Sequence, residues 1–145
     1  MTRAQAISFL QERYSSVVDE DKLGLTLTDD SGGFKVALDN ALLEIGYTYS
    51  QLPTTTVGDS DVPAFRAVLA YYALRHIAEA AIPLVSIQTD FPRPLKRSED
   101  IFTHIMELLK TALAEAQGFG YLTSIGIPQI QIASYTLDFL EPECE

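Results

Sequence analysis

Two histidines, three close pairs of carboxylates and a single cysteine are the residues here that carry chemistry. His76 stands three residues before Glu79 and His104 three before Glu107, so on helices each imidazole shares a face with a carboxylate. That spacing allows a general acid–base pair, and it equally describes a hydrogen bond on a helix surface. A carboxylate-bridged di-metal centre in a bundle uses Glu-x-x-His pairs and further inward glutamates. In this chain the order is reversed and the extra glutamates are missing. The pairs Asp29 with Asp30, Asp59 with Asp61, and Glu99 with Asp100 each fall at an expected helix start, where capping and the helix dipole account for acids without catalysis.

Nucleophile and phosphate motifs give no stronger lead. No serine sits in a G-x-S-x-G turn, and no glycine loop of the phosphate-cradling kind is present. Gly32 and Gly33 precede a helix, but Asp29 and Asp30 beside them repel an anion. The stretch DDSGGFKVALDN lacks the alternating acids and closing glutamate of a calcium loop. Cys144, as the only cysteine, excludes an intramolecular disulfide and a cysteine-built metal site. The expectation is a chain with no catalytic residue, no cofactor and no metal.

The bulk properties set the frame. With 145 residues and 47% hydrophobic content, the chain is long enough for one sizeable core. Ten Lys and Arg against 20 Asp and Glu leave a net charge of -10, which opposes non-specific attraction to nucleic acid or an anionic membrane. The start MTRAQAISFLQERY has no apolar block of the secretory kind, and no later apolar run reaches the roughly 18 residues of a membrane span. The expected home is therefore the cytoplasm, or an assembly built there. Arg93, Lys96 and Arg97 form a basic cluster on an expected proline-rich loop. It is either a solvated loop or a contact for an acidic partner, another copy of this chain included.

Four helices are expected to carry these residues. Thr2 caps a first helix from about Arg3 to Val18, with Ile7, Leu10, Tyr14 and Val17 on one stripe. LGLTLT follows as a loop or brief strand. Asp29, Asp30 and Ser31 offer caps for a second helix with Phe34, Leu38, Leu42 and Ile45 on one face, and Gly46 stops it. After the long connection YTYSQLPTTTVGDSDVP, a third helix runs from about Pro63 to Ile82, apolar nearly all round, and Pro83 ends it. Ser98 caps a fourth, with Ile101, Ile105, Leu108, Leu109, Ala112 and Leu113 inward and an end near Gln117 and Gly118. Helices three and four are expected to pack together.

The remaining residues change period. Ile130 and Ile132 alternate with Gln, and Tyr135, Leu137 and Phe139 alternate with polar residues, which is strand-like. A lone strand leaves its backbone groups unpaired, so this stretch is expected to pair with LGLTLT, with a neighbouring copy or with another protein. The fold class is mainly α: a bundle of about four helices over residues 1–126, then an extended C-terminal arm over 127–145.

The order of a short capped helix, a linker, the long apolar helix PAFRAVLAYYALRHIAEAAI, the helix SEDIFTHIMELLKTALAEA and a strand-like tail resembles the small head-to-tail connector, or adaptor, proteins of tailed bacteriophages. The resemblance spans most of the chain and rests on helix order, size and texture, with no short motif to carry across. It implies a homo-oligomeric ring, usually twelvefold, lying between the portal protein and a head-tail stopper or tail protein. It further implies location in the virion neck after assembly in the bacterial cytoplasm, and a channel lining acidic enough to repel passing DNA. The partner-binding residues expected on this reading are Ile130, Ile132, Tyr135, Leu137 and Phe139, with Arg93, Lys96 and Arg97 as a charged contact. An acidic regulatory protein that inhibits a host nucleic-acid enzyme by presenting DNA-like charge is the alternative. An enzyme using His76 and Glu79 comes third.

Overall fold

In the computed structural model the described residues are 1–20, 23–87 and 95–126. Helix α1 (Arg3–Glu20) opens with a reciprocal cap: Thr2 Oγ1 accepts the Gln5 amide at 3.3 Å, and Gln5 Oε1 accepts the Thr2 amide at 2.8 Å. Two otherwise orphaned donors are satisfied at once. Ile7, Leu10 and Tyr14 are buried as the stripe predicts, but the next buried position is Val18, with Val17 only partly covered.

The chain then returns along α1 in an extended stretch. Leu23, Leu25 and Leu27 pack against the core while Gly24, Thr26 and Thr28 face outward, so the two-residue alternation is real although no strand forms among the described residues. Gln11 Nε2 donates to the Leu27 carbonyl at 2.9 Å, which ties this return to α1. Gly33 crosses so close that a Cβ there would lie 2.5 Å from the Thr28 carbonyl oxygen and 2.7 Å from that of Thr26. Only a residue without a side chain fits.

Helix α2 (Lys35–Glu44) starts without the side-chain cap expected of Asp29, Asp30 or Ser31. Asp29 is drawn away to Arg3, and Asp30 Oδ1 accepts the Gly32 amide at 3.0 Å in a local turn. Buried Phe34 takes the cap position. The far end follows expectation. Gly46 at φ 108° lets its amide reach Leu43 O at 3.1 Å and the Tyr47 amide reach Leu42 O at 3.1 Å, so the last carbonyls of α2 are satisfied.

A 3-10 turn at Leu52–Thr54 interrupts the long connection. Val57 and Met1 exchange hydrogen bonds in both directions, at 2.8 Å and 2.5 Å. Helix α3 (Val62–Ile87) is longer than its sequence suggests and passes through Pro83. A proline removes one amide donor, and the turns on either side keep theirs, so it need not end a helix. Helix α4 (Leu95–Gly118) likewise begins three residues before the expected Ser98 cap. Ser98, Glu99 and Asp100 therefore lie beyond its first three positions, and Lys96 and Arg97 belong to its first turn rather than to a loop. Pro94 stands just ahead of Leu95 in the sequence, and proline suits a helix start.

Helix α3 is the spine. It packs most extensively on α4, then on α2, and more thinly on α1. Phe65, Val68, Leu69, Tyr71, Leu74 and Ile77 are all buried on it, around several faces of the helix. Ile105, Leu109, Ala112 and Leu113 of α4 meet this spine from a single face, while Leu108 is half-buried. The described part of the molecule is a four-helix, mainly α architecture.

Candidate functional site

Of the residues expected to bind partners, Ile130, Ile132, Tyr135, Leu137, Phe139 and Arg93 lie outside the described residues. What the structure does describe is the root from which the C-terminal stretch leaves. Gly120 at φ 87° ends α4 as Gly46 ends α2, with Gly120 N–H donating to Gln117 O at 2.9 Å and Tyr121 N–H to Ala116 O at 3.0 Å. Leu122 then takes φ 58°, rare for a side chain branched at Cγ, and buries that side chain. Its amide donates to Glu44 Oε1 at 3.2 Å. Gln117 Nε2 donates to the carbonyls of Leu122 at 3.2 Å and Ile125 at 3.0 Å. The ends of α2 and α4 thus hold residues 120–125 in one course, and a strained backbone persists because several contacts over-determine it.

The histidines are not brought to carboxylates. Glu79 Oε1 accepts from Arg75 Nε at 3.2 Å, one turn away on the same helix face. His76 stands edge-on to the Phe34 ring with centroids 5.1 Å apart, and its Nε2 is buried without a hydrogen-bond partner. The ring borders a shallow groove between α2 and α3 with Asn40, Tyr72, Arg75 and Glu79. His104 is exposed on α4. Among the described residues no group of three or more His, Cys, Asp or Glu is placed to hold a metal ion, and no helix is long and apolar enough to cross a membrane.

Two charged arrangements went unseen in the sequence. In the first, Arg3 donates through Nε and Nη2 to both oxygens of Asp29, at 2.7 and 2.6 Å. Its Nη1 donates to Asp39 at 2.7 Å and to the Leu52 carbonyl at 3.0 Å. One guanidinium thereby joins α1, the approach to α2, α2 itself and the 3-10 turn. The hydrogen bonds from Arg3 hold the Asp29 carboxyl below its ordinary range against the opposing effect of burial. Arg3 itself is pushed well above its usual value, first by the bond to Asp29.

In the second, the Phe9 ring lies under two guanidiniums, Arg66 at 5.3 Å and Arg13 at 5.8 Å from its centroid. Arg13 is also 5.8 Å from the Tyr14 ring. Burial raises the Tyr14 hydroxyl's pKa, Arg13 works against that, and Glu115 adds to it. The Phe9–Arg13 step of four residues along α1 is visible in sequence; the arrival of Arg66 from α3 is not. The adjoining groove between α1 and the start of α3 encloses about 420 Å³.

No protein-family model, curated protein or solved structure matches this chain.

Proposed function

We propose that this chain is a structural virion protein, a head-to-tail connector (adaptor) of a tailed bacteriophage. It forms a ring between the portal and a stopper or tail component and grips its neighbours with residues 127–145. The observation that carries this reading is the fixed exit at residues 120–125. Glu44 and Gln117 hold the root of a stretch whose sequence suits pairing with something else. From Gln117 to Leu137 the sequence has no Asp, Glu, Lys or Arg, in a chain of net charge -10. A long uncharged, apolar stretch of that kind suits contact with another protein surface and not with water.

The test is solution mass by light scattering, with and without portal protein. A ring-sized species, alone or only with portal, supports the adaptor; a monomer indifferent to portal refutes it. Deleting Ile130–Glu145 should leave the helical circular-dichroism signal unchanged and weaken assembly. Assembly as strong as that of the full chain would remove the arm from this reading.

The net charge also favours a second reading, an acidic binding module that occupies the nucleic-acid site of a host enzyme. It requires a monomer or dimer whose binding collapses with added salt.

A further inference from the structure

We propose that the groove between α1 and the first turns of α3 seats the acidic segment 137–145 of a second copy of this chain. The inference rests on the arm of the adaptor reading and not on its place in a virion. Met1, Phe9 and Val62 supply apolar lining to a groove whose remaining lining is polar, Arg66 included. Arg66 and Arg13 are both exposed, and among the described residues neither has a carboxylate within 4 Å, whereas Arg3 and Arg75 do. The Phe9 ring holds the two guanidinium groups beside it, so part of the ordering cost of binding is met before a ligand arrives. A planar guanidinium presents a fork that matches a carboxylate in two places.

The segment LDFLEPECE supplies the complementary chemistry. Asp138 lies between Leu137 and Phe139, Glu141, Glu143 and Glu145 follow Leu140, and no basic residue intervenes. An apolar side chain packs on Phe9 and Val62 while a carboxylate meets Arg13 or Arg66. Glu12 and Asp59 also line the groove and oppose the incoming acids. The attraction is therefore short-ranged, carried by the two arginines, and weakened by salt. A second copy is the occupant because most of an acidic surface repels another such surface, and association needs places where unpaired cations meet acids.

Cys144 makes the test direct, since it lies within the segment and is the only cysteine. Ser8 lines the groove and is exposed. A nitrogen-15-labelled Ser8→Cys, Cys144→Ser chain is mixed with the unlabelled, unaltered chain under mild oxidation, and the mixed disulfide-linked dimers, which the label separates from either homodimer, are counted by mass. The control is a Thr111→Cys, Cys144→Ser chain, with the thiol on the exposed side of α4. The expected result is a yield several-fold above the control. Adding Arg13→Glu and Arg66→Glu to the groove copy should return it to the control level, and Glu141→Lys with Glu143→Lys in the other copy should restore it. A yield equal to the control overturns the inference. So does a Ser8→Cys chain retaining Cys144 that, at concentrations where copies associate, closes its disulfide within one molecule and not between two.

The two readings fail separately. If deletion of the arm abolishes assembly but the double arginine reversal does not, the arm docks elsewhere and only the groove is wrong. Cross-linking at the groove in a protein that ignores portal supports the groove and sinks the adaptor.

Discussion

Arg3→Met tests whether one guanidinium holds the N-terminal half of this protein together. Four hydrogen bonds are lost: two to Asp29, one to Asp39 and one to the Leu52 carbonyl. In full protection, bonds to charged groups are worth about 1.5–3 kcal/mol, and on an open surface an ion pair is worth under about 1 kcal/mol. Arg3 is 13% exposed and its partners 29% and 24%, which places the node between these limits. About 1 kcal/mol for each carboxylate and about 0.5 kcal/mol for the carbonyl give a loss of about 2.5 kcal/mol. For a domain of this size that corresponds to a fall in Tm of about 8 °C. Urea unfolding of both proteins across pH provides the assay.

The sign of the pH dependence follows from Asp29. Its folded pKa is depressed, so its contribution is present above the ordinary carboxylate value and disappears as pH falls through the lowered one. The gap between wild type and Arg3→Met should therefore narrow in acid. Arg3→Lys keeps the charge but not the fork, and should recover less than half of the loss. A neutral-pH gap below about 0.5 kcal/mol, or one that stays constant into acid, would refute the reasoning.

Two further outcomes follow from close packing and burial. Gly33→Ala sets a methyl against two backbone carbonyl oxygens that cannot swing aside, and should cost about 2 kcal/mol by urea unfolding. Tyr14 has its pKa raised by burial, so the stability tied to its neutral form is complete below the ordinary tyrosine value and is lost as pH rises through the raised one. Tyr14→Phe should match wild type within about 0.5 kcal/mol at neutral pH. It should overtake wild type in alkali, and one late-ionising tyrosinate should vanish from an absorbance titration.

The sequence reveals those parts of the fold that short-range rules govern. Helix existence, the Thr2 cap, the Gly46 stop and the inward faces of α2 and α4 depend on residues within a turn or two of each other. The errors fall where a distant partner or an adjacent element decides. Asp29 looks like a cap until Arg3, 26 positions away, claims both its oxygens. Ser98 looks like a start because serine favours that role, yet the helix has already begun at Leu95. Of the site, the alternation of the tail is plain in sequence, but its anchorage by Glu44, 78 positions before Leu122, is a tertiary event. Arg66 over Phe9 is of the same kind.

The arrangement around α3 has a dynamic consequence. Because the backbone of α1 approaches the spine closely at fewer places than those of α4 and α2, the four helices should not be equally committed to the native state. Hydrogen exchange should find α1 and the return through Leu23–Leu27 opening as one unit, with α3 and α4 protected to the limit of global unfolding. Phe9 and Arg13 belong to the part that opens first. A recognition surface built on the least protected helix is one the molecule can dismantle without unfolding, so occupancy and local order rise and fall together.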